Sequence, residues 1–355
     1  MDERSNTKNR SGSSASRAGS ARVMGVLLGI GALLAASVAG YALWTLTQSP
    51  TSQTTTDTGN ADDSDNQGIA ETESIEEILG AVQVYVRNQQ YPQATTVLEH
   101  AVGQYPSDQE LRFALGDLYM FQKRYADAYA QFVAGIEVGP GSATGEFTAG
   151  TLANMLDRTE LAEAHYSASM RLDPTNPDTP MYLAAIEMKL NRLDDAKRNL
   201  ALAGRLAPER ARIFAMRSEI AMRENHAVIA LEQIRKARAI EPRVLGWILQ
   251  EAKVLKRNGD AEGAISLLVS LPEEQLTEPE TAYMLAESYG MLGRPGDAAS
   301  RLMDVASVHP NDAKLAFEVA LWLERAGERS SAIEWAEKAE GLGNPRTRAW
   351  IESLP

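Results

Sequence analysis

The stretch LGDLYMFQKRYADAYAQFVAGIEVGP, residues 115–140, decides how this chain folds. It places Gly116 twelve residues before Ala128 and ends on Pro140. The same pattern returns every 34 residues, and alanine holds one point of eight successive periods: Ala94, Ala128, Ala162, Ala196, Ala230, Ala264, Ala298 and Ala332. A fixed period of this length indicates a solenoid of stacked helical hairpins.

A second series of small residues supports this interpretation. It keeps the same step and comprises Gly116, Gly150, Ala184, Ser218, Ala252, Ala286 and Ala320. Small side chains let two helices of a hairpin approach closely, and proline ends the second helix because it cannot continue the hydrogen bonding. Proline recurs with the same step at Pro106, Pro140, Pro174, Pro208 and Pro242, and again at Pro310 after one period in which Leu276 replaces it. The pattern therefore predicts an all-α chain with two helices in each period.

These residues resemble the tetratricopeptide repeat family. Leu115, Gly116 and Tyr119, then Ala128 and Phe132, then Pro140 match its pattern, with Arg112 where the family has tryptophan. The resemblance implies a right-handed superhelical solenoid of about eight helix-turn-helix units over residues 75–345, followed by a C-terminal cap at 346–355. By this register the units begin near Ile75, Gln109, Ala143, Pro177, Ala211, Leu245, Pro279 and Ala313.

The N-terminal part divides into three segments. Residues 23–46 carry no charge and are long enough to cross a hydrocarbon core of ~30 Å, which predicts one transmembrane helix. Residues 1–22 contain five Lys or Arg and are predicted to form a disordered cytoplasmic tail. Residues 47–74 are polar and acidic, which is typical of a flexible linker. We therefore expect a single-pass protein of a bacterial inner membrane, with its N-terminus in the cytoplasm and its repeats in the periplasm.

Two features of this segment have alternatives. Ser37-Val38-Ala39 resembles the cleavage site of a signal peptide, although the apolar run continues past it. Small residues follow one face of the predicted span, at Gly25, Gly29, Ala32, Ala36 and Gly40. Such a face favours close packing with a second helix and hence a homodimer. The alternative is that glycine and alanine are simply common in bacterial spans.

Composition excludes several classes of function. The net charge of −13 and the pI near 5.0 argue against a nucleic-acid partner, because phosphate binding requires a basic face. The chain has no cysteine, and its four histidines fall in different units, so no metal site or cofactor is predicted. No nucleophile motif is present. We predict that the protein is not an enzyme.

The resemblance also implies where a protein or peptide partner binds. In the family, the first helix of each unit lines a concave groove that holds the ligand. Transferred to this chain, the groove positions are Phe113, Asp117, Met120, Phe121, Phe147, Asn154, Met155, Met181, Met188, Lys189, Arg212, Met222, Arg223, Lys253, Lys256, Arg257, Tyr283, Met291, Phe317 and Arg325.

Methionine is over-represented among these positions. Six of the 12 methionines fall in the set, and methionine is common on surfaces that accept varied apolar partners. Arg223, Lys253 and Lys256 make the fifth and sixth units basic. The hypothesis is an apolar groove in units two to four that becomes cationic afterwards, suited to an amphipathic helix or a partly unfolded chain. The alternative is that the methionines fill gaps between hairpins.

The sequence thus predicts a non-catalytic, membrane-anchored scaffold that binds a partner or client protein during envelope complex assembly. The layout resembles the tetratricopeptide subunits of cytochrome c maturation, which typically carry two spans, and translocon-associated chaperone-network proteins. A holdase for apocytochrome c and a fixed structural subunit of a secretion or envelope complex are the alternatives.

Overall fold

The computed structural model of the protein describes residues 74–353, which form eighteen helices and no strand. The prediction of an all-α chain built from paired helices is confirmed. The predicted tail, transmembrane helix with its packing residues, and nearly all of the linker lie outside the described residues. Between residues 74 and 353, no helix combines the length and the apolar character needed to cross a bilayer.

The helices fall into two compact units. The N-terminal unit ends at Thr175 and holds three hairpins. Its helices are α1 (Ile75–Arg87), α2 (Tyr91–Gln104), α3 (Gln109–Phe121), α4 (Tyr125–Val138), α5 (Ala143–Met155) and α6 (Thr159–Leu172). Several of the first helices begin with a side-chain cap; Ser74, for example, forms a capping box with Glu77.

The C-terminal unit begins at Asn176 and holds five hairpins and a final short helix. Its helices are α7 (Asp178–Lys189), α8 (Leu193–Leu206), α9 (Ala211–Arg223), α10 (Ala227–Ile240), α11 (Leu245–Arg257), α12 (Ala261–Val269), α13 (Glu273–Leu276), α14 (Pro279–Met291), α15 (Pro295–Val308), α16 (Ala313–Arg325), α17 (Arg329–Gly341) and α18 (Thr347–Ser353). The four-residue α13 follows Pro272, where the sixth hairpin has a shorter second helix than the others.

Close packing explains both series of small residues. All eight alanines of the 34-residue series are 0% exposed. A Cβ added at Gly116 would lie 2.8 Å from the ring of Phe132, and one at Gly150 would lie 3.0 Å from the ring of Tyr166. At both glycines of this series, a large side chain from the second helix of the same hairpin packs against the first helix.

The turn inside each hairpin repeats one backbone conformation. One residue in the turn has φ between 56° and 82° in every hairpin: Gln89, Lys123, Asp157, Asn191, Asn225, Gly259, Gly293 and Gly327. A left-handed residue at this point lets the chain reverse within a few residues. Glycine adopts this conformation without strain, whereas the five other residues adopt it at a small cost.

Two charged residues occupy a core position of the repeat. Leu115 and Leu285 fill this position in other hairpins, whereas Arg217 and Glu251 hold it in the fifth and sixth. The carboxylate of Glu251 is 2% exposed and contacts two arginines of α10. Arg217 donates to the carbonyl of Leu200 at 2.9 Å, and burial lowers the pKa of its guanidinium. Polar contacts therefore replace apolar packing between these hairpins.

Candidate partner-binding surface

The twenty predicted partner-binding residues, here called the first-helix set, differ widely in exposure. Six are exposed: Phe121, Lys189, Lys253, Arg257, Met291 and Arg325. Nine are half-buried: Phe113, Asp117, Phe147, Asn154, Met155, Arg212, Arg223, Lys256 and Tyr283. Five are buried: Met120, Met181, Met188, Met222 and Phe317. Five of the six exposed residues, all except Lys253, occupy the same position of the 34-residue register, and three of the five buried ones, Met120, Met188 and Met222, lie one position before it.

The hypothesis of an accessible methionine surface is wrong for four of the six methionines. Met120 and Met188 are 8% exposed, and Met181 and Met222 are 3% exposed. These side chains are covered by neighbouring helices, which agrees with the alternative that they fill gaps between hairpins. Met291 differs, because 51% of it is exposed.

Two aromatic residues of the set also serve packing. The ring of Phe113 lies against two glycines, so that a Cβ added at Gly135 or Gly145 would approach it to 2.6 Å. Phe317 is 3% exposed, and Trp350 of α18 contacts it edge to face at a centroid distance of 5.7 Å. The prediction that Phe317 contacts a partner is wrong, since the C-terminal helix covers it.

The cations of the fifth and sixth hairpins mainly join successive first helices. Arg223 donates to the carbonyl of Met188 at 2.6 Å, and Arg257 donates to Asn225 Oδ1 at 2.6 Å. Lys256 forms an ion pair with Glu287 of α14. Lys253 lies 4.0 Å from Glu219 and is well exposed. Arg223 and Lys256 therefore already have contacts within the unit, and their place in a cationic groove stays a prediction.

A depression of about 450 Å³ lies between α14 and α16 in the C-terminal unit. Its lining residues are Glu287, Gly290, Met291, Gly293, Pro295, Trp322 and Arg325. A Cβ added at Gly290 would lie 2.2 Å from Cη2 of Trp322, so the indole lies directly on the backbone of α14. Glycine at this point is what allows the first helices of the last two hairpins to form the depression.

The depression joins an apolar surface to an unpaired positive charge. Trp322 is 7% exposed and the guanidinium of Arg325 lies over its ring, 4.4 Å from the centroid. Such a cation–π contact holds the arginine without neutralising it. Within residues 74–353 no acidic side chain pairs with Arg325, whereas Glu287 already pairs with Lys256. The arrangement suits an apolar group that carries a carboxylate close by.

In the N-terminal unit, Asp117 is a half-buried carboxyl without a charged partner among the described residues. Burial raises the pKa of Asp117 from an ordinary value of 3.8 to about 7. Desolvation accounts for this shift in pKa, because it disfavours the charged form. Near neutral pH the carboxyl is therefore partly protonated.

Replacing Asp117 by asparagine is expected to stabilise the fold at alkaline pH by about 1–3 kcal/mol. The folded state binds a proton more tightly than the unfolded state here, so the stability contributed by Asp117 falls as the pH rises from about 4 to about 7. The advantage of asparagine should grow over that range and stay constant above it. Urea unfolding of both proteins at pH 4 and pH 8 measures this, and an equal difference at both values would contradict it.

A hydrogen-bonded chain in the N-terminal unit was not predicted. His165 Nδ1 lies 2.7 Å from Glu146 Oε2, and His165 Nε2 lies 3.1 Å from the hydroxyl of Tyr129. The chain links α5 and α6 of one hairpin to α4 of the preceding one. No local sequence pattern could have predicted this hydrogen-bonded chain, because its three residues come from three different helices. The histidine thus connects two hairpins through its side chain.

Comparisons with known proteins agree with this architecture. Tetratricopeptide repeat models match residues 85–143 and 283–346. A solved tetratricopeptide repeat protein from Parabacteroides merdae is similar to the chain, with a TM-score of 0.55 and 13% identity over 70% of this chain and 98% of that one. PilW, a widely conserved type IV pilus biogenesis factor, has a TM-score of 0.50 and 20% identity over 58% and 96%. No curated protein matches the chain.

The chain is therefore a tetratricopeptide repeat protein. Proteins of this class are interaction scaffolds, and their domains bind protein or peptide partners. At the identities above, the likeness to solved structures shows the fold alone.

Proposed function

We propose that this protein is a non-catalytic scaffold, anchored in the bacterial inner membrane, that holds a segment of a partner protein while envelope complexes assemble. The depression at Gly290 is the observation that supports this most directly. It combines the exposed Met291, the wall of Trp322 and the unpaired Arg325 on adjacent first helices. Within the first-helix set, Met291 and Arg325 are exposed and line the same depression.

The chemistry of the depression indicates the kind of segment that it holds. An apolar side chain of the partner would cover Met291 and the indole of Trp322, and a carboxylate nearby would pair with Arg325. Burial of one large apolar side chain contributes about 1.5–3 kcal/mol, so a partner requires further contacts along the first helices. The exposed Phe121 and Lys253 offer such contacts, each within its own unit.

The uncharged residues 23–46 support the proposed anchor. The five Lys or Arg before them, and the absence of any until Arg87, favour a cytoplasmic N-terminus and periplasmic repeats. A linker of some 27 residues has a reach of about 30 Å, which would keep the repeats close to the membrane. The proposed scaffold would therefore meet its partners at the periplasmic surface.

Site-specific photo-crosslinking of the full-length protein in cells tests this proposal. A photoreactive amino acid at position 291 is expected to give a discrete crosslinked product, because the partner covers Met291. The same amino acid at position 308 is the control, since Val308 is 57% exposed but lies at the end of a second helix. Replacing Arg325 by glutamate should lower the yield at position 291 about tenfold, because it repels the partner's carboxylate.

Arg348 provides a matched control for that charge reversal. Its side chain is 80% exposed on α18, so Arg348→Glu changes the net charge equally without altering the depression. Equal crosslinking from positions 291 and 308, or equal loss with Arg325→Glu and Arg348→Glu, would contradict the proposed site. Mass spectrometry of the product also reports the compartment, and cytosolic partners would contradict the periplasmic location.

The same products distinguish the alternative functions. A single partner crosslinked in stoichiometric amount would favour a fixed subunit of an envelope or secretion complex. Many unfolded clients in small amounts would favour a holdase, and apocytochrome c alone would favour the cytochrome c maturation pathway.

A further inference from the structure

One stretch of this acidic protein is strongly basic. Residues 189–257 contain 16 Lys or Arg and 8 Asp or Glu, although the whole chain has a net charge of −13. Many of these cations form ion pairs with nearby acids, such as Lys236 with Glu232. Two arginines of α10 share a single acid instead, which leaves a positive charge in excess.

The shared acid is the buried Glu251 of α11. Arg235 Nε lies 3.0 Å from Glu251 Oε1, and Arg238 Nε lies 2.7 Å from Glu251 Oε2. The side chain of Glu251 is 2% exposed, whereas those of Arg235 and Arg238 are 56% and 34% exposed. The buried carboxylate accepts a hydrogen bond from Arg235 and forms an ion pair with Arg238, and both guanidinium groups lie at the surface.

The outer nitrogens of both arginines remain available. A guanidinium carries several N–H donors, and the hydrogen bond from Arg235 to Glu251 uses Nε alone. Among residues 74–353, no other acid pairs with Arg235 or Arg238. A depression of about 250 Å³ lies between them and is completed by Ala239 and Pro242. Two forked donor groups, held in place by a buried carboxylate, therefore line one small cavity.

We propose that Arg235 and Arg238 form a binding site for the side-chain carboxylates of an acidic segment in a partner protein. Paired guanidinium groups match a planar carboxylate in a bidentate manner, and Glu251 reduces the freedom that they lose on binding. The exposed Arg243 adds positive charge beyond Pro242. The site lies on a second helix, away from the Gly290 depression, and does not depend on whether that depression binds a partner.

Fluorescence anisotropy with labelled hexaglutamate tests this site on the full-length protein in detergent at low salt. The combined change Arg235→Gln and Arg238→Gln is expected to weaken binding about tenfold. Lys236→Gln is the matched control, because it removes one positive charge from the same helix and should change the Kd less than about twofold. Labelled hexaglutamine should not bind.

A second variant separates binding from folding, because the glutamine pair leaves Glu251 without a cation. Arg235→Lys with Arg238→Lys keeps both charges near Glu251 but removes the forked donors, and we expect a loss of about three- to fivefold with unchanged thermal unfolding. Wild-type affinity in this lysine variant, or an equal effect of Lys236→Gln, would overturn the proposal. A competition experiment compares acetate with inorganic phosphate as displacers of the probe. If phosphate displaces the probe at a tenth of the concentration that acetate requires, the proposal is overturned in favour of a phosphate site.

Discussion

Replacement of Glu251 by alanine is expected to lower the free energy of unfolding by about 2–4 kcal/mol. The buried carboxylate contacts both Arg235 and Arg238, so alanine removes these ion pairs and leaves a gap between α10 and α11. The partial exposure of the arginines lets water reach them, which keeps the loss below that of a fully buried pair. Urea unfolding followed by circular dichroism measures the change.

Two further variants define the cause of this loss. Glu232→Ala removes an exposed acid of α10 that pairs with Lys236, and it should change the stability by less than about 0.5 kcal/mol. Glu251→Leu places at this position the residue that Leu115 and Leu285 supply in other hairpins. It should recover most of the stability, because apolar packing replaces a buried ion pair well. A loss below about 1 kcal/mol with Glu251→Ala would show that the carboxylate does not hold the hairpins together.

Replacement of Trp322 by alanine is expected to cost about 3–5 kcal/mol. The indole is 7% exposed and packs on the backbone at Gly290, so its removal opens a large cavity and deletes one wall of the depression. Denaturant unfolding measures the stability, and crosslinking from position 291 should be lost in the same protein under conditions where it remains folded.

Gly290→Ala provides the complementary test. The added Cβ would lie 2.2 Å from the indole, and such overpacking costs about 1–3 kcal/mol. Because alanine at position 322 relieves this clash, the double variant should lose clearly less stability than the sum of the two single variants. Strict additivity would show that Gly290 and Trp322 do not pack against each other as described.

The repeat period predicted the fold because it is a packing requirement that recurs in every hairpin. Each alanine of the 34-residue series is fully buried, and the glycines that precede two of them face large rings, as Gly116 faces Phe132. Local chemistry supports the same boundaries through caps such as Asp108, which accepts from the backbone of Leu111. These interactions depend on neighbours that lie close in sequence, so the pattern alone reveals them.

The candidate site was only partly predictable, because accessibility depends on what the next hairpin places against a residue. Met155 and Met291 occupy the same register position, yet Met155 is half-buried and Met291 is 51% exposed. The glycines beside Phe113 could have indicated from the sequence that this residue serves packing. Gly135 and Gly145 mark where its ring fits against two helices. The charged residues Arg217 and Glu251 were a second sequence signal, because they stand at a position that leucine holds in other hairpins. Glu251 thus identifies the sixth hairpin as unusual from sequence alone.

The left-handed turns have a consequence for how freely the sequence can vary. Asn225 is strained in the folded state, whereas Gly259 at the equivalent point loses more conformational freedom when the unfolded chain folds. The two penalties have a similar size, about 1 kcal/mol, and they act on opposite sides of the equilibrium. Exchange between glycine and a polar residue in these turns is therefore nearly neutral. Evolution is free to change the turn residues while the hairpin packing stays constant.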